Sequence, residues 1–183
     1  IDLRRKLSPA EFEVVHRALV THGVIVMRDQ DITLDQQMAF GRLFGELSIH
    51  PFSPNLDDKR EVIVLDYSKD NPPHLTDQWH ADETFRAAPP LGTILRARVV
   101  PEVGGDTLRD IEARFPNPWH PVVRVHPVTG RRILNVNAQF CVRLKGLKDD
   151  ESGMMLQYLY SRAAIPEYQL RVRWQPNTVV MWD

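Results

Sequence analysis

Turn-forming residues interrupt this sequence at short intervals and limit the length of every regular element. The chain of 183 residues contains 14 prolines and 9 glycines. Proline removes a backbone donor and glycine favours turns, so neither suits the interior of a helix or strand. The apolar runs between these residues are short, as at 24–27 and 179–182. This spacing predicts many short strands rather than a few long elements.

Three segments have the periodicity and end signals of helices. Ser8 with a glutamate three residues later has the pattern of a capping box, and Gly23 ends that segment. Thr33 opens a second helix that we expect to reach Gly45, and a third is predicted at 149–163. Strands are predicted at 24–27, 61–66, around residue 80, 92–100, 122–126, 132–136, 168–174 and 178–182, with 122–126 and 132–136 as a hairpin. Because helices and strands do not alternate, the pattern favours a β-rich α+β fold, a sandwich or barrel with helices outside, over a βαβ sheet.

Composition and charge argue against several classes of protein. Hydrophobic residues make up 43% and charged residues 26% of the chain, as in a globular domain. The formal net charge is -1, which does not resemble the basic surface of a nucleic-acid binder. The apolar runs are too short to cross a membrane. The single cysteine, Cys141, excludes an internal disulfide and suits a reducing compartment, so we expect a cytoplasmic protein.

One short stretch carries residues suited to metal chemistry. His80 and Asp82 are separated by one residue, and side chains two positions apart on a strand point to the same face. Imidazole and carboxylate ligands suit Fe(II), and two histidines with one carboxylate leave positions open for other molecules. Alternatively, His80 is a hydrogen-bonded, half-buried histidine and Asp82 caps a turn. Taken alone, the pair favours this structural interpretation, because short motifs often arise by chance.

Further motifs favour the metal-binding interpretation, because they occur together with the first motif in a fixed order along the chain. They are Trp79-His-Ala-Asp-Glu-Thr-Phe85, Pro89-Pro90, Gly104-Gly-Asp-Thr107, His126-Pro-Val-Thr-Gly-Arg131, Asn135-Val-Asn137, and Trp174-Gln-Pro-Asn177 followed by Met181-Trp-Asp183. In this combination the sequence resembles the taurine dioxygenase family of iron(II)- and 2-oxoglutarate-dependent oxygenases. The resemblance extends from the first helix to the last residue.

The resemblance implies a fold, a reaction and a set of site residues. The fold is a double-stranded β-helix, or jelly-roll barrel, with flanking helices. The cofactors are Fe(II), 2-oxoglutarate as cosubstrate, and O2, and the substrate is a small anionic molecule such as a sulfonate, an alkyl sulfate or an aryloxyalkanoate. The matching positions are His80 and Asp82 for the metal, Thr107 for 2-oxoglutarate, His50 for the anionic head group, and Thr76, Phe85 and Phe140 for the substrate pocket.

Three departures from the family pattern accompany the resemblance. The second metal histidine and the anion-binding arginines of the family follow the Trp-Asp pair that here is 182–183. The segment between Thr107 and His126 is short, so part of the family's lid is expected to be missing from the single dioxygenase domain 1–183. Ser53 and Thr76 stand where the family binds the amine of taurine, which argues against taurine itself.

Other interpretations remain open at this stage. A hydroxylase of an amino-acid-like substrate would share the metal site, and a barrel that has lost its metal would only bind a small molecule. We expect the Glu83 side chain to turn outward, His126 to be structural, and Met154 and Met155 to pack in a helix interface. The sequence leaves open whether the chain forms a homo-oligomer.

Overall fold

The computed structural model of the protein describes residues 1–53, 55–66, 80, 82–100 and 118–183. These residues belong to two compact units. The elements are α1 (Pro9–His22), β1 (Val24–Met27), α2 (Leu34–Gly41), β2 (Thr93–Arg96), β3 (Val123–Val125), β4 (Arg132–Leu134), α3 (Asp149–Ser161) and β5 (Val179–Trp182), with a short 3-10 turn at Pro166–Tyr168.

The first unit is formed from Ile1–Pro73, Pro90–Gly105 and Trp174–Asp183, and contains a three-stranded antiparallel sheet. Strand β5 lies between β1 and β2, so the last strand of the chain is the central one. Its residues Val179, Val180 and Met181 are almost completely buried. A strand that is buried on both faces has a continuous apolar sequence, as β5 does. Helix α1 contributes Val15 and Leu19 to the same core.

In the first unit, the predicted N-terminal caps of both helices and the predicted end of α1 are confirmed. The Ser8 hydroxyl accepts the backbone N–H of Glu11, and the Glu11 carboxylate accepts the backbone N–H of Ser8. Gly23 ends α1 at a φ of 74°, a left-handed conformation that suits glycine. Thr33 caps α2 with the same reciprocal pattern. Helix α2 ends at Gly41 rather than Gly45, so its predicted last turn is wrong.

The second unit is formed from His74–Pro89 and Asp106–Arg173, and contains the β3–β4 hairpin and α3. His126 is buried, and its Nδ1 accepts the backbone N–H groups of Val128 and Thr129 across the hairpin turn. The predicted structural role of His126 therefore agrees with its contacts. The buried Ser152 of α3 accepts the backbone N–H of Leu144 at 2.8 Å.

Several predicted elements are wrong. The segment 61–66 forms only one bridge, between Asn55 and Ile63, rather than a strand. The segment 168–174 follows the 3-10 turn and forms no strand. Met154 and Met155 are 68% and 46% exposed, so they do not pack in an interface of the described residues. A local apolar sequence is compatible with either a strand or an irregular segment. Which of the two forms depends on whether a distant segment lies beside it.

No helix in the described part of the chain is long and apolar enough to span a membrane.

Candidate functional site

The His80 and Asp82 side chains meet in the second unit. The imidazole Nε2 lies 3.4 Å from Asp82 Oδ1, and the two side chains are 39% and 34% exposed. Both donors are therefore close together and still accessible from solvent. This is the contact that would overturn the metal hypothesis if it were missing.

The strand predicted around residue 80 does not continue beyond the pair. Residues 82–85 form a turn, in which the Arg86 N–H donates to the carbonyl oxygen of Glu83 at 2.9 Å. Glu83 has a φ of 49°, in the left-handed region, which a strand residue does not adopt. The chain therefore turns from Asp82 onward.

Glu83 does not turn outward, contrary to the expectation from the sequence. Its side chain is only 12% exposed and forms an ion pair with Arg86 three residues later. The Arg86 guanidinium also lies over the Phe85 ring, 5.7 Å from its centroid. A largely buried carboxylate is costly unless it is paired, and Arg86 provides that compensation.

Phe85 and Phe140 pack together. Their ring centroids are 6.4 Å apart and the planes meet at 72°, an edge-to-face contact. The Asn137 side chain is buried, and its Oδ1 accepts the backbone N–H groups of Gln139 and Phe140 at 3.2 and 2.9 Å. Asn137 thereby fixes the backbone that carries the Phe140 ring.

Sequence reasoning missed two further residues that hold this region. His120 Nε2 lies 3.0 Å from the carbonyl oxygen of Thr84 and donates to it, next to the turn at 82–85. Asn favours turns in which its side chain accepts backbone N–H groups two or three residues later. The position of Asn137 three residues before Phe140 could therefore have indicated this contact from the sequence. The His120 contact joins residues 36 positions apart and had no such signal.

His50 lies in the first unit and is half-buried. Its Nδ1 lies 2.8 Å from the Ser53 hydroxyl and accepts the Phe52 backbone N–H at 3.3 Å. A backbone N–H can only donate, so Nδ1 is the acceptor in the contact with Phe52. The remaining predicted site residues, Thr76 and Thr107, lie outside the described residues.

The donor set of His80 and Asp82 fits a divalent iron. An imidazole nitrogen and a carboxylate oxygen 3.4 Å apart are ligand types that suit Fe(II), and they could contact one ion together. Over the described residues, no group of three or more His, Cys, Asp or Glu side chains is arranged to hold a metal ion. The pair therefore offers two donors of the three that a facial site requires.

Comparison with known families gives a match over the whole chain. The family model described as "Taurine catabolism dioxygenase TauD, TfdA family" matches residues 1–109 and 108–183. The chain belongs to the TauD/TfdA family. The resemblance inferred from the ordered motifs is thus confirmed, and with it the class of enzyme: an oxidoreductase family of 2-oxoglutarate-dependent dioxygenases that uses Fe(II) and O2.

Individual relatives in the TauD/TfdA family agree with this assignment. The chain is 31% identical to the alpha-ketoglutarate-dependent sulfate ester dioxygenase of Pseudomonas putida, over 100% of the chain and 76% of that protein. It is 27% identical to the (S)-phenoxypropionate/alpha-ketoglutarate-dioxygenase of Sphingobium herbicidovorans, over 97% of the chain and 79% of that protein. Among solved structures, a taurine dioxygenase from Burkholderia xenovorans is 32% identical, with a TM-score of 0.84 over 100% of the chain and 74% of that structure.

The alignments also bear on the short segment after Thr107. The family model matches in two pieces that meet at 108–109. The alignment with the Pseudomonas putida protein takes 232 positions for the 183 residues of this chain, so the relative has residues that this chain lacks. The missing part of a lid between Thr107 and His126 stays a prediction.

Proposed function

We propose that the protein hydroxylates a small anionic organic substrate with Fe(II), 2-oxoglutarate and O2, and releases succinate and CO2. The substrate classes proposed are sulfonates, alkyl sulfates and aryloxyalkanoates. The observation that carries the proposal is the 3.4 Å approach of His80 Nε2 to Asp82 Oδ1 in a chain that belongs to the TauD/TfdA family. The names of its relatives support sulfate esters and phenoxyalkanoates as substrates to test.

In this proposal the protein's own residues hold and orient the reactants. His80 and Asp82 would hold the iron through an imidazole nitrogen and a carboxylate oxygen. When bound, the iron and the keto acid supply the oxidising chemistry that places a hydroxyl group on a substrate carbon. Phe85 and Phe140 supply apolar, edge-to-face packing next to the turn that carries Asp82. Thr107 for the keto acid, and His50 and Thr76 for the substrate, remain predictions from the family resemblance.

The proposal extends to the fold. We infer that the chain forms the double-stranded β-helix of the family as one dioxygenase domain, with part of the lid absent. Support comes from the TM-score of 0.84 to a taurine dioxygenase and from the break of the family match at 108–109. A shorter lid would leave more room for substrates larger than taurine, such as long alkyl sulfates.

The first test is a substrate panel read by succinate formation. The protein is incubated with Fe(II), 2-oxoglutarate and O2 together with taurine, alkyl sulfates of increasing chain length, or phenoxypropionate. We expect substrate-dependent succinate with an alkyl sulfate or an aryloxyalkanoate and little with taurine. Failure of every anionic substrate to increase succinate above the substrate-free control would contradict the proposed function.

The second test concerns the two metal ligands. His80→Ala and Asp82→Ala should each abolish iron-dependent succinate formation, because each removes a donor atom from the metal. His22→Ala is the matched control, since it removes an exposed histidine at the end of α1. Activity like that of the wild type in either site variant would disprove the metal assignment.

A further inference from the structure

Helix α3 presents an exposed apolar face. Ser152 and Leu156 are buried and lie on the side of the helix that packs inward. Successive residues of an α-helix are rotated by about 100°, so Met154 and Tyr158 lie on the opposite side. Their side chains are 68% and 57% exposed. Large apolar side chains that neighbour each other on one exposed face form the kind of patch that binds another molecule.

A stripe of four residues runs along this face at intervals of four: Asp150, Met154, Tyr158 and Arg162. Residues four positions apart lie one above the other on a helix. The Arg162 backbone is still helical, and its guanidinium lies over the Tyr158 ring, 5.1 Å from the centroid. The stripe therefore begins with an anion and ends with a cation, roughly 18 Å apart along the helix, with apolar side chains between them.

The two charges of the stripe have no partner of opposite sign within the described part of the chain. The ion pair at the start of α3 joins Arg143 to Asp149 at 3.1 Å, and neither Asp150 nor Arg162 takes part in one. A molecule that covers this face has to offer a cation at one end and an anion at the other, because an unpaired charge in a contact is costly.

The stripe is symmetric in position and opposite in charge about Leu156. Asp150 and Arg162 lie six residues before and after Leu156, and Met154 and Tyr158 lie two residues before and after it. A rotation by 180° about an axis perpendicular to the helix at Leu156 exchanges the members of each pair. The stripe is thus complementary to itself, as an isologous contact between identical subunits requires.

We propose that α3 binds α3 of a second copy of this chain, in antiparallel orientation about a twofold axis next to Leu156. In this arrangement Asp150 pairs with the partner's Arg162 at each end of the contact. Met154 packs on the partner's Tyr158, because a thioether contacts an aromatic ring favourably. The antiparallel orientation also brings helix ends of opposite partial charge together. The proposal is independent of the metal and of the substrate.

The size of the contact limits its strength. Helix α3 has 13 residues and is about 20 Å long. One face of such a helix is smaller than the roughly 800 Å² per partner that a stable interface buries. We therefore expect a dimer that dissociates in the micromolar range.

Sedimentation velocity of the whole chain at increasing concentration tests the dimer. Asp150→Arg and Arg162→Asp each place like charges opposite each other at both ends of the contact, so each should raise the dissociation constant at least about tenfold. Asp57→Arg makes the same charge change at an exposed position of the first unit and should dimerise like the wild type. A wild type that stays monomeric up to about 200 µM, well above the expected range, would overturn the proposal.

An equal mixture of the two charge variants tests the register. In a mixed pair the substituted guanidinium of Asp150→Arg faces the substituted carboxylate of Arg162→Asp, and the native Arg162 faces the native Asp150. The mixture should therefore dimerise about as tightly as the wild type, although each variant alone does not. Two folded variants that fail to associate in the mixture would overturn the antiparallel pairing.

Oxidation of Met154 by dilute hydrogen peroxide tests the same face without any substitution. Sulfoxide formation, followed by mass spectrometry, depends on how accessible the thioether is. Its rate at Met154 should fall with protein concentration over the range in which the dimer forms, whereas the rate at Met27 in the first unit should stay constant. A rate at Met154 that is slow at every concentration would show that another segment or molecule covers the face, and a rate that is fast at every concentration would show that nothing does. Either outcome would overturn the proposal.

Discussion

Glu83 places a second carboxylate directly after Asp82, the proposed metal ligand. It has a positive φ of 49° and a side chain that is 12% exposed. A second carboxylate in this position would repel anions unless its charge were compensated. Arg86 provides that compensation and also lies over Phe85, so one guanidinium connects the buried charge to the aromatic ring. At the scale of the residue, the turn after Asp82 depends on this pair.

Replacement of Arg86 tests that dependence. Arg86→Gln should lower the free energy of unfolding by about 1–3 kcal/mol, because it leaves a largely buried carboxylate without its partner. It should also raise KM for an anionic substrate more than it lowers kcat. Unfolding in urea and steady-state kinetics measure the two effects.

The matched control is the double variant Glu83→Gln with Arg86→Gln. Removal of both charges should recover most of the stability that Arg86→Gln loses, which is a coupling between the two sites. Additive losses in the double variant would show that Arg86 acts through its packing on Phe85 and not through Glu83.

At the scale of elements, the N-terminus of α1 combines a capping box with an ion pair. Glu11 accepts the backbone N–H and the hydroxyl of Ser8, and also pairs with Arg5. The Arg5 guanidinium, followed by the Ser8 backbone N–H and hydroxyl, lowers the pKa of Glu11 from 4.5 to about 2. A carboxylate in the first turn also interacts favourably with the helix dipole.

The lowered pKa of Glu11 predicts the pH range in which it stabilises the protein. The folded-state pKa lies below the unfolded value, so the contribution is complete above pH 4.5 and is lost as the pH falls towards 2. Glu11→Gln should therefore be less stable than the wild type at neutral pH, with the difference closing in that acidic range. Urea unfolding across pH measures it.

Glu13→Gln is the control for net charge on the same helix, because Glu13 is exposed on α1. A difference between wild type and Glu11→Gln that stays constant from pH 6 to about pH 2 would contradict the linkage argument.

The contact of β2 with the central strand β5 predicts a second effect at this scale. A Cβ added to Gly92, just before β2, would overlap the Trp182 carbonyl oxygen and lie 3.2 Å from its carbonyl carbon. Backbone atoms cannot move aside as a flexible side chain can, so Gly92→Ala should cost about 1–3 kcal/mol of unfolding free energy. Urea unfolding measures this cost.

Gly153 offers the matched comparison for the same chemical change. It lies within α3, and an added Cβ would meet nothing within 4 Å. Gly153→Ala should stabilise the protein by up to about 1 kcal/mol, because alanine favours the helix. Equal stabilities of the two alanine variants would refute the close approach at Gly92.

At the scale of the whole molecule, the family match and the site predict that ligands stabilise the fold. A ligand that binds only the native state adds about 2.7 kcal/mol at a hundredfold excess over its dissociation constant. Mn(II), a redox-stable substitute for Fe(II), together with 2-oxoglutarate should raise the melting temperature of the wild type. A chelator should reverse the increase.

The site variants separate specific binding from a general effect of the ions. His80→Ala and Asp82→Ala should lose most of the Mn(II)-dependent increase in melting temperature, whereas His22→Ala should keep it. An increase of the same size in all variants would show that the metal binds elsewhere.

Local signals explain which parts of the fold were predictable. The caps at Ser8 and Thr33 and the end at Gly23 depend on hydrogen bonds and backbone angles within a few residues, so their patterns are visible in the sequence. The hairpin of β3 and β4 follows for the same reason, because Gly130 at a φ of 68° marks its turn. The segment 61–66 has strand-like residues, but a strand also requires a neighbour, which a local pattern does not contain.

The sequence alone singled out the residues that we propose to hold the metal: His80 and Asp82, separated by one residue, within ordered motifs that place the chain in its family. Only the tertiary structure decided what surrounds them: a turn at 82–85, Glu83 buried against Arg86, and Asn137 holding the backbone of Phe140. The physical reason is the distance along the chain over which each property is set. Ligand type and capping are properties of neighbouring residues, whereas burial and pairing depend on which distant segments come together in the fold.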